Sequence, residues 1–160
     1  MAGAEKTNVM RILEQKKVSY IPHSYPAGDA VDGPSVARFL NVEPMRLFKT
    51  LVTVGASKRN YVFCIPGPCT LDLKAAARAV GEKSIAMLRQ AELLPLTGYV
   101  HGGCSPVGMK KQFPTVIDKS AENWELILVS AGKIGFQVEL APGDLATLIG
   151  ADWAELTESE

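Results

Sequence analysis

Hydrophobic residues in the N-terminal part of the chain recur at helical spacing. The apolar residues after Thr7 fall on one face of a helix that Thr7 can cap and that runs to about Lys17. A short second helix is predicted within residues 27–44, because Pro34 suits a position just inside a helix start and apolar residues follow it at helical intervals.

Two later helices have clear end signals. Thr70 or Asp72 lies near the start of the helix predicted in TLDLKAAARAVG, and Gly81 occupies its C′ position, where left-handed backbone is favoured. A last helix opens at Pro142 and ends near Gly150.

β-Branched and aromatic residues predict strands between these helices. Residues 18–26 turn β-like after the first helix, and residues 46–55 and 60–67 form an antiparallel pair joined by a polar turn. The clearest hairpin covers residues 124–140, with its turn at 130–133. Helices and strands are interleaved without a strict β-α-β rhythm, which predicts an α+β fold with a mixed, strongly curved sheet, as one domain over residues 1–160.

Composition narrows the possible functions. Seventeen basic residues balance 17 acidic residues, so the chain lacks the overall positive charge of a protein that binds nucleic acid mainly by neutralising phosphates. Three cysteines without CxxC spacing, and an N-terminal segment without a signal-peptide pattern, favour a reducing cytoplasm. We expect no membrane span, because no apolar run approaches about 20 residues, and no metal, because neither histidine lies near paired cysteines.

Lys49 is the first candidate for chemistry. Alternate residues of a strand share a face, so Lys49 lies beside Leu47 and Leu51 rather than among polar groups. Two interpretations stay open: the side chain reaches past apolar neighbours to water, or it meets an anionic group in a pocket. On the second interpretation, Lys49 points into a pocket with the loop 102–106 across from it.

The glycine-rich segment GGCSPVGMKK, residues 102–111, is the second candidate. Gly102 and Gly103 allow a close backbone approach to a ligand, and Pro106 stiffens the turn, although a plain structural turn explains the same residues. Cys104 could act as a nucleophile with His101, but such pairs are usually assembled from distant segments, and a small spacer is the simpler interpretation.

Four segments occur together in order: LFKTLV at 47–52, GYVHGGCSPVGMKK at 98–111, FPTVID at 113–118 and VSAGKIGFQVEL at 129–140. Together they resemble the YbaK-type Cys-tRNA(Pro) deacylases, which are freestanding relatives of the editing domain inserted in bacterial prolyl-tRNA synthetases. The resemblance implies an α+β fold with a barrel-like sheet flanked by helices. It also implies a hydrolase that removes cysteine from mischarged proline-specific tRNA without a cofactor, through attack of the substrate's own thiol on its ester. The implied enzyme acts at the acceptor end, with prolyl-tRNA synthetase as a possible partner.

The same resemblance assigns roles to residues of this chain. The family's essential lysine corresponds to Lys49, and its Gly-x-x-x-Pro loop corresponds to Gly102–Pro106, in which Cys104 is an unspecified position. The implied substrate-binding residues are Tyr25, Thr50, Gly102, Gly103, Ser105, Pro106, Ser130, Gly132 and Gln137. Gln137 stands where some relatives have aspartate, which removes a charge but keeps hydrogen-bonding capacity.

Other functions remain open at this stage. The same site could remove alanine or serine from tRNA, since pocket substitutions set that choice. A non-catalytic tRNA-binding or nucleotide-binding module and a thiol hydrolase that uses Cys104 are further alternatives.

Overall fold

The computed structural model describes residues 6–26 and 33–158. Within them the chain forms five α-helices, none of them long and apolar enough to cross a bilayer. The helices are α1 Asn8–Gln15, α2 Gly33–Leu40, α3 Leu73–Val80, α4 Gln90–Thr97 and α5 Pro142–Ile149. The strands are β1 Ile21–Ser24, β2 Phe48–Gly55, β3 Asn60–Pro66, β4 Ile85–Met87, β5 Thr115–Asp118, β6 Ile127–Ser130, β7 Phe136–Leu140 and β8 Asp152–Ala154.

These strands form two sheets. An antiparallel three-stranded sheet has the order β1-β7-β6, and a mixed five-stranded sheet has the order β4-β2-β3-β5-β8, in which β5 is parallel to both neighbours. The prediction of an α+β fold with a mixed sheet is therefore confirmed. Neither sheet closes on itself among the described residues, so the barrel-like shape is not confirmed.

The predicted helices are present with the expected end signals. The Thr7 hydroxyl accepts a hydrogen bond from the Met10 amide at the start of α1. Of the two candidates at α3, Asp72 is the N-cap, and Gly81 ends the helix with φ of +75°. The earliest part of the segment predicted to contain α2, residues 27–32, lies outside the described residues.

Both predicted hairpins form, with shifted ends. Strand β2 begins at Phe48 rather than at residue 46, because Pro44–Arg46 form a short 3₁₀ helix. Strands β6 and β7 pair so that Ser130 faces Gln137, which makes the connection between them longer than the predicted turn.

Four elements lacked a recognisable pattern in the sequence: β4, β5, β8 and α4. The strands have only three or four residues, which is too few to show an alternation of apolar and polar residues. Helix α4 contains Pro95 and leaves Leu94 about half exposed, so it lacks a clear apolar face.

The five-stranded sheet is covered on both faces. On one face, Val62 of β3 packs with residues of α1 and α5, such as Leu13 and Leu145, and with the inner face of the three-stranded sheet. On the other face, Phe63 packs against α3 at Ala76. The alternation of β3 side chains between two apolar environments explains why this strand is hydrophobic at every position from Tyr61 to Pro66.

The two sheets meet at one end of β2. Leu47, directly before β2, forms an isolated parallel bridge with Leu128 of β6. The opposite end of β2 pairs with β4 at residues 53–55. Leu47 and Leu128 also pack with Tyr25 and Val36 in a small apolar cluster of their own, which supports this junction of the sheets.

Replacing the cap of α3 tests how much local signals contribute to the fold. The Asp72 carboxylate accepts hydrogen bonds from the amides of Lys74 and Ala75, both at 3.0 Å. We expect Asp72→Ala to lower the free energy of unfolding by about 1 kcal/mol, because two amides lose their partner. Asp72→Asn keeps an acceptor oxygen and should lose much less. Urea denaturation measures both, and equal losses would contradict the cap's role.

Candidate functional site

A cleft of about 370 Å³ lies at the junction of the two sheets. Residues 47–51 form one wall, the three-stranded sheet contributes Ser130 and Gln137, and the glycine-rich loop contributes Gly102 and Cys104. Tyr25, Gly67, His101 and residues of α2 also line the cleft.

Six of the ten residues that the resemblance assigned to the site line this cleft. They are Tyr25, Lys49, Thr50, Gly102, Ser130 and Gln137. The other four, Gly103, Ser105, Pro106 and Gly132, are not part of the lining. The structure thus brings Lys49 and the start of the glycine loop to one cavity, as the predicted pocket requires, although the roles of these residues stay predictions.

Lys49 is half-buried, and within the described part of the chain no carboxylate pairs with it. Burial lowers the pKa of its ammonium group from the ordinary value, and the nearby Cys69 thiol acts weakly in the opposite direction. A partly desolvated cation without a carboxylate partner is suited to bind an anionic group that enters the cleft.

Two polar atoms of the cleft residues are buried and lack a conventional partner among the described residues. The Gln137 amide oxygen accepts no hydrogen bond, although the residue is only 5% exposed. The Thr50 hydroxyl is similarly unsatisfied, and the thiol of Cys64, opposite it in β3, is only a weak partner. Because unsatisfied buried polar atoms are costly, these two atoms indicate where a ligand could form hydrogen bonds.

The four remaining candidate residues lie in the loops next to the cleft, where three of them are buried. A methyl group on Gly103 would lie 3.0 Å from the Ile134 amide, so this glycine allows two loops to pack closely. Ser105 is fully buried and accepts a hydrogen bond from the Val107 amide at 3.2 Å. Pro106 is likewise buried.

Gly132 lies in the turn after β6, which packs against the glycine-rich loop. This glycine contacts Tyr99, to which the sequence assigned no role. A methyl group on Gly132 would lie 2.9 Å from the Tyr99 ring and 3.0 Å from Val9, and the glycine has φ of +89°. The Tyr99 hydroxyl donates to the Val107 carbonyl at 2.5 Å, and burial raises its pKa to about 12. Tyr99 therefore fastens the glycine-rich loop to the turn after β6. In the sequence, Tyr99 occurs within the segment GYVHGGCSPVGMKK but received no role of its own.

Cys104 lines the cleft, but its environment does not activate it. Burial raises the pKa of its thiol to about 12, so the thiolate is scarce near neutral pH. His101 also lines the cleft and is exposed, and no hydrogen bond joins the two side chains among the described residues. This arrangement disfavours a thiol hydrolase that uses Cys104.

Three polar side chains link the three-stranded sheet to the segment that precedes β2, beside the cleft. Glu139 of β7 binds His23 of β1 at 2.8 Å and also binds Arg46 of the 3₁₀ helix. Burial acts to raise the pKa of Glu139, but its hydrogen bonds to His23 and Arg46 outweigh burial and lower it. Glu139 is therefore ionised at neutral pH.

Two larger depressions lie elsewhere, one of about 620 Å³ near Arg89 and Pro95 and one of about 510 Å³ near Lys16 and Asp144. Neither contains a residue of the predicted site. Among residues 6–26 and 33–158, no three His, Cys, Asp or Glu side chains are grouped closely enough to hold a metal ion. The expectation of metal-free chemistry stays a prediction.

Residues 29–148 match the model of the aminoacyl-tRNA editing domain family. A protein of Enterococcus faecalis, assigned as Cys-tRNA(Pro)/Cys-tRNA(Cys) deacylase EbsC, is 47% identical over 157 residues, which cover 98% of this chain and 96% of the relative.

Solved structures show the same fold. A candidate trans-editing enzyme for prolyl-tRNA synthetase superposes with a TM-score of 0.83 at 25% identity, covering 97% of this chain and all of the other. A hypothetical protein, APE2540, superposes with a TM-score of 0.86 at 22% identity, covering 94% of this chain and 99% of the other. The latter likeness supports the fold alone.

Substitution of two glycines separates backbone strain from loop packing. Gly81 and Gly132 both have positive φ, but a methyl group at Gly81 meets nothing within 4 Å. We expect Gly81→Ala to cost about 1 to 2 kcal/mol from left-handed backbone alone. Gly132→Ala should cost roughly 1 to 3 kcal/mol more, because the methyl group overlaps the Tyr99 ring. Urea denaturation compares the two variants, and equal losses would refute the tight packing at Gly132.

Proposed function

The chain belongs to the aminoacyl-tRNA editing domain family, and from that premise we propose that its one domain is a trans-editing deacylase for cysteine attached to proline-specific tRNA. The cleft that holds Lys49 beside the glycine-rich loop is the observation that carries this proposal. The name of the 47% identical relative supports the same substrate.

A need for such an enzyme follows from the limits of binding discrimination. A pocket that accepts proline rejects a similar-sized amino acid weakly, since a small difference in shape contributes only about 1 to 3 kcal/mol. A separate hydrolase supplies the missing selectivity. The relative's name includes both tRNA(Pro) and tRNA(Cys), which supports a site that recognises the amino acid and the acceptor end rather than the tRNA body.

In the proposed complex, the aminoacyl ester occupies the cleft. Lys49 meets a terminal phosphate or the negative charge that develops at the ester during attack, where a fixed cation lowers the barrier. Gly102 offers backbone contacts, while the Gln137 amide oxygen and the Thr50 hydroxyl are available to bind the substrate's polar groups.

Tyr25 and Ser130 shape the wall of the cleft. The Ser130 hydroxyl oxygen already accepts a hydrogen bond from the Gly132 amide at 3.1 Å. Gly103, Ser105, Pro106 and Gly132 hold this wall in place.

We assign the attack to the substrate's own thiol. The cysteine sulfur loses its proton and bonds to the ester carbonyl carbon, and the bond from that carbon to the ribose oxygen breaks. The ribose oxygen takes up a proton as the tRNA leaves, and the amino acid departs as a thiolactone. The protein contributes orientation and electrostatic stabilisation. The raised pKa of Cys104 supports this division of roles, because the chain's own cleft thiol is poorly ionised.

The net charge of the chain bears on how the protein would find its tRNA. With 17 basic and 17 acidic residues, intrinsic affinity for a tRNA body should be modest. We therefore propose that prolyl-tRNA synthetase presents the mischarged tRNA in the cytoplasm. A deacylation assay on Cys-tRNA(Pro), with and without the synthetase, tests both proposals. Binding of the tRNA without cleavage would instead establish a non-catalytic module.

Loss of the Lys49 ammonium should have a kinetic effect much larger than loss of the cleft thiol. We expect Lys49→Ala to lower the single-turnover deacylation rate by about 10² or more, comparable to deleting an oxyanion donor. Lys49→Arg should restore little, because a planar guanidinium differs in shape from an ammonium group. Cys104→Ser is the control and should stay within about threefold of the parent, since only a small side chain is needed there. The reverse ranking would exclude the proposed roles.

Comparison of two esters tests the substrate's part in the chemistry. If the substrate thiol attacks, serine attached to the same tRNA should react at least about 10² times more slowly, since a hydroxyl is far less ionised than a thiol near pH 7. Alanine, which has no side-chain nucleophile, should be as slow as serine. Single-turnover rates with the three charged tRNAs provide the measurement. Similar rates for all three would rule out substrate-assisted attack and support a broader deacylase.

A further inference from the structure

A cluster of Arg46, Glu139 and His23 beside the cleft links three segments of the chain that are distant in sequence. Arg46 donates to the Leu126 carbonyl at 3.0 Å through Nε and to Glu139 Oε2 through Nη2. The other oxygen of Glu139 is 2.8 Å from His23 Nε2. We call Arg46, Glu139 and His23 the seam network, because together they join the three-stranded sheet to the segment that leads into β2.

Each member of the seam network lies two or three residues from a polar residue that lines the cleft. His23 and Tyr25 are two apart at the end of β1, and Glu139 and Gln137 are two apart on one face of β7. The third pair is Arg46, on the segment that leads into β2, and Lys49 of β2. Arg46 precedes Lys49 by three residues, and Leu47 between them carries the backbone bridge to Leu128.

We propose that the seam network is a positioning device, which fixes the separation between the Lys49 wall and the Gln137 wall of the cleft. This inference rests on the proposed function, since it assigns the network a part in that reaction. The members do not line the cleft themselves. They act through Lys49 and Gln137, whose separation determines whether one ester can contact both.

Burial makes the loss of one partner from this network more costly than it is in an ordinary surface ion pair. The side chains of His23, Arg46 and Glu139 are 24%, 21% and 12% exposed. Exposed pairs contribute little, but removing one partner of a shielded pair leaves a charge without compensation. The guanidinium of Arg46 also uses two different nitrogens for its two acceptors, a geometry that the single ammonium of lysine reproduces poorly.

The backbone offers few other constraints at this place. Leu47 and Leu128 form an isolated bridge rather than a continuous ladder, so the side chains beside it have a larger share in holding the two walls together. Catalysis by positioning is sensitive to small displacements, and a shift of about 1 Å can cost about 10²-fold in rate.

The experiment compares Arg46→Ala, Arg46→Lys, Glu139→Gln and the double variant Arg46→Ala/Glu139→Gln with the parent in single-turnover deacylation of Cys-tRNA(Pro). Arg89→Ala is the matched control, because Arg89 forms an exposed pair with Glu92 at 2.8 Å, away from this cleft. Thermal unfolding of each variant gives the folded fraction at the assay temperature, so that rates are expressed per folded molecule.

We expect Arg46→Ala to lower the maximal rate per folded molecule about tenfold, with less than about a twofold change in the half-saturating enzyme concentration. Arg46→Lys should recover part of the loss. The double variant should lose less than the product of the single losses, because both substitutions break the same contact. Arg89→Ala should stay within about twofold of the parent.

The outcomes separate this inference from the proposed function. A parent protein that fails to deacylate Cys-tRNA(Pro) contradicts the proposed function itself. An active parent whose Arg46 and Glu139 variants keep the full rate per folded molecule, even with a lowered melting temperature, reduces the network to a structural role and overturns the inference. If Arg46→Ala does not fold, Arg46→Lys and Glu139→Gln decide by the same criterion.

Discussion

The cleft lies where the three-stranded sheet meets the five-stranded sheet through an isolated backbone bridge beside β2. One end of the strand region is bridged to β6 at Leu47, and the other end pairs with β4 at residues 53–55. Residues 48–51, between these attachments, line the cavity together with the glycine-rich loop.

Around this opening the protein places polar groups that its own fold leaves partly unsatisfied. Lys49 is half-buried without a carboxylate partner among the described residues, and the Gln137 oxygen is buried without a donor there. Stable interiors avoid such arrangements, so their occurrence in one cavity is typical of a site in which binding compensates for the desolvation. By contrast, the nearby Glu139 has both its oxygens occupied, by Arg46 and His23.

Glycines near the site serve the loop architecture as much as the ligand. Gly103 and Gly132 are required by close contacts with Ile134 and Tyr99, whereas Gly102 reaches the cavity. A glycine-rich motif therefore has two roles that a sequence cannot separate, because both need the absence of a side chain. Tyr99, to which the sequence assigned no role, contacts both loops and so determines how they pack.

Local patterns in the sequence determined the α+β class, the four helices with end signals and the two hairpins, because capping, periodicity and turn chemistry act between neighbours. The resemblance of several motifs identified Lys49 and five other residues that line one cavity. Tertiary structure alone decided the short strands β4, β5 and β8, since three or four residues become a strand only when a partner supplies hydrogen bonds. It also decided which loop residues face the cavity and that Arg46, Glu139 and His23 meet. Those contacts join residues up to 116 positions apart, a distance over which no local pattern extends.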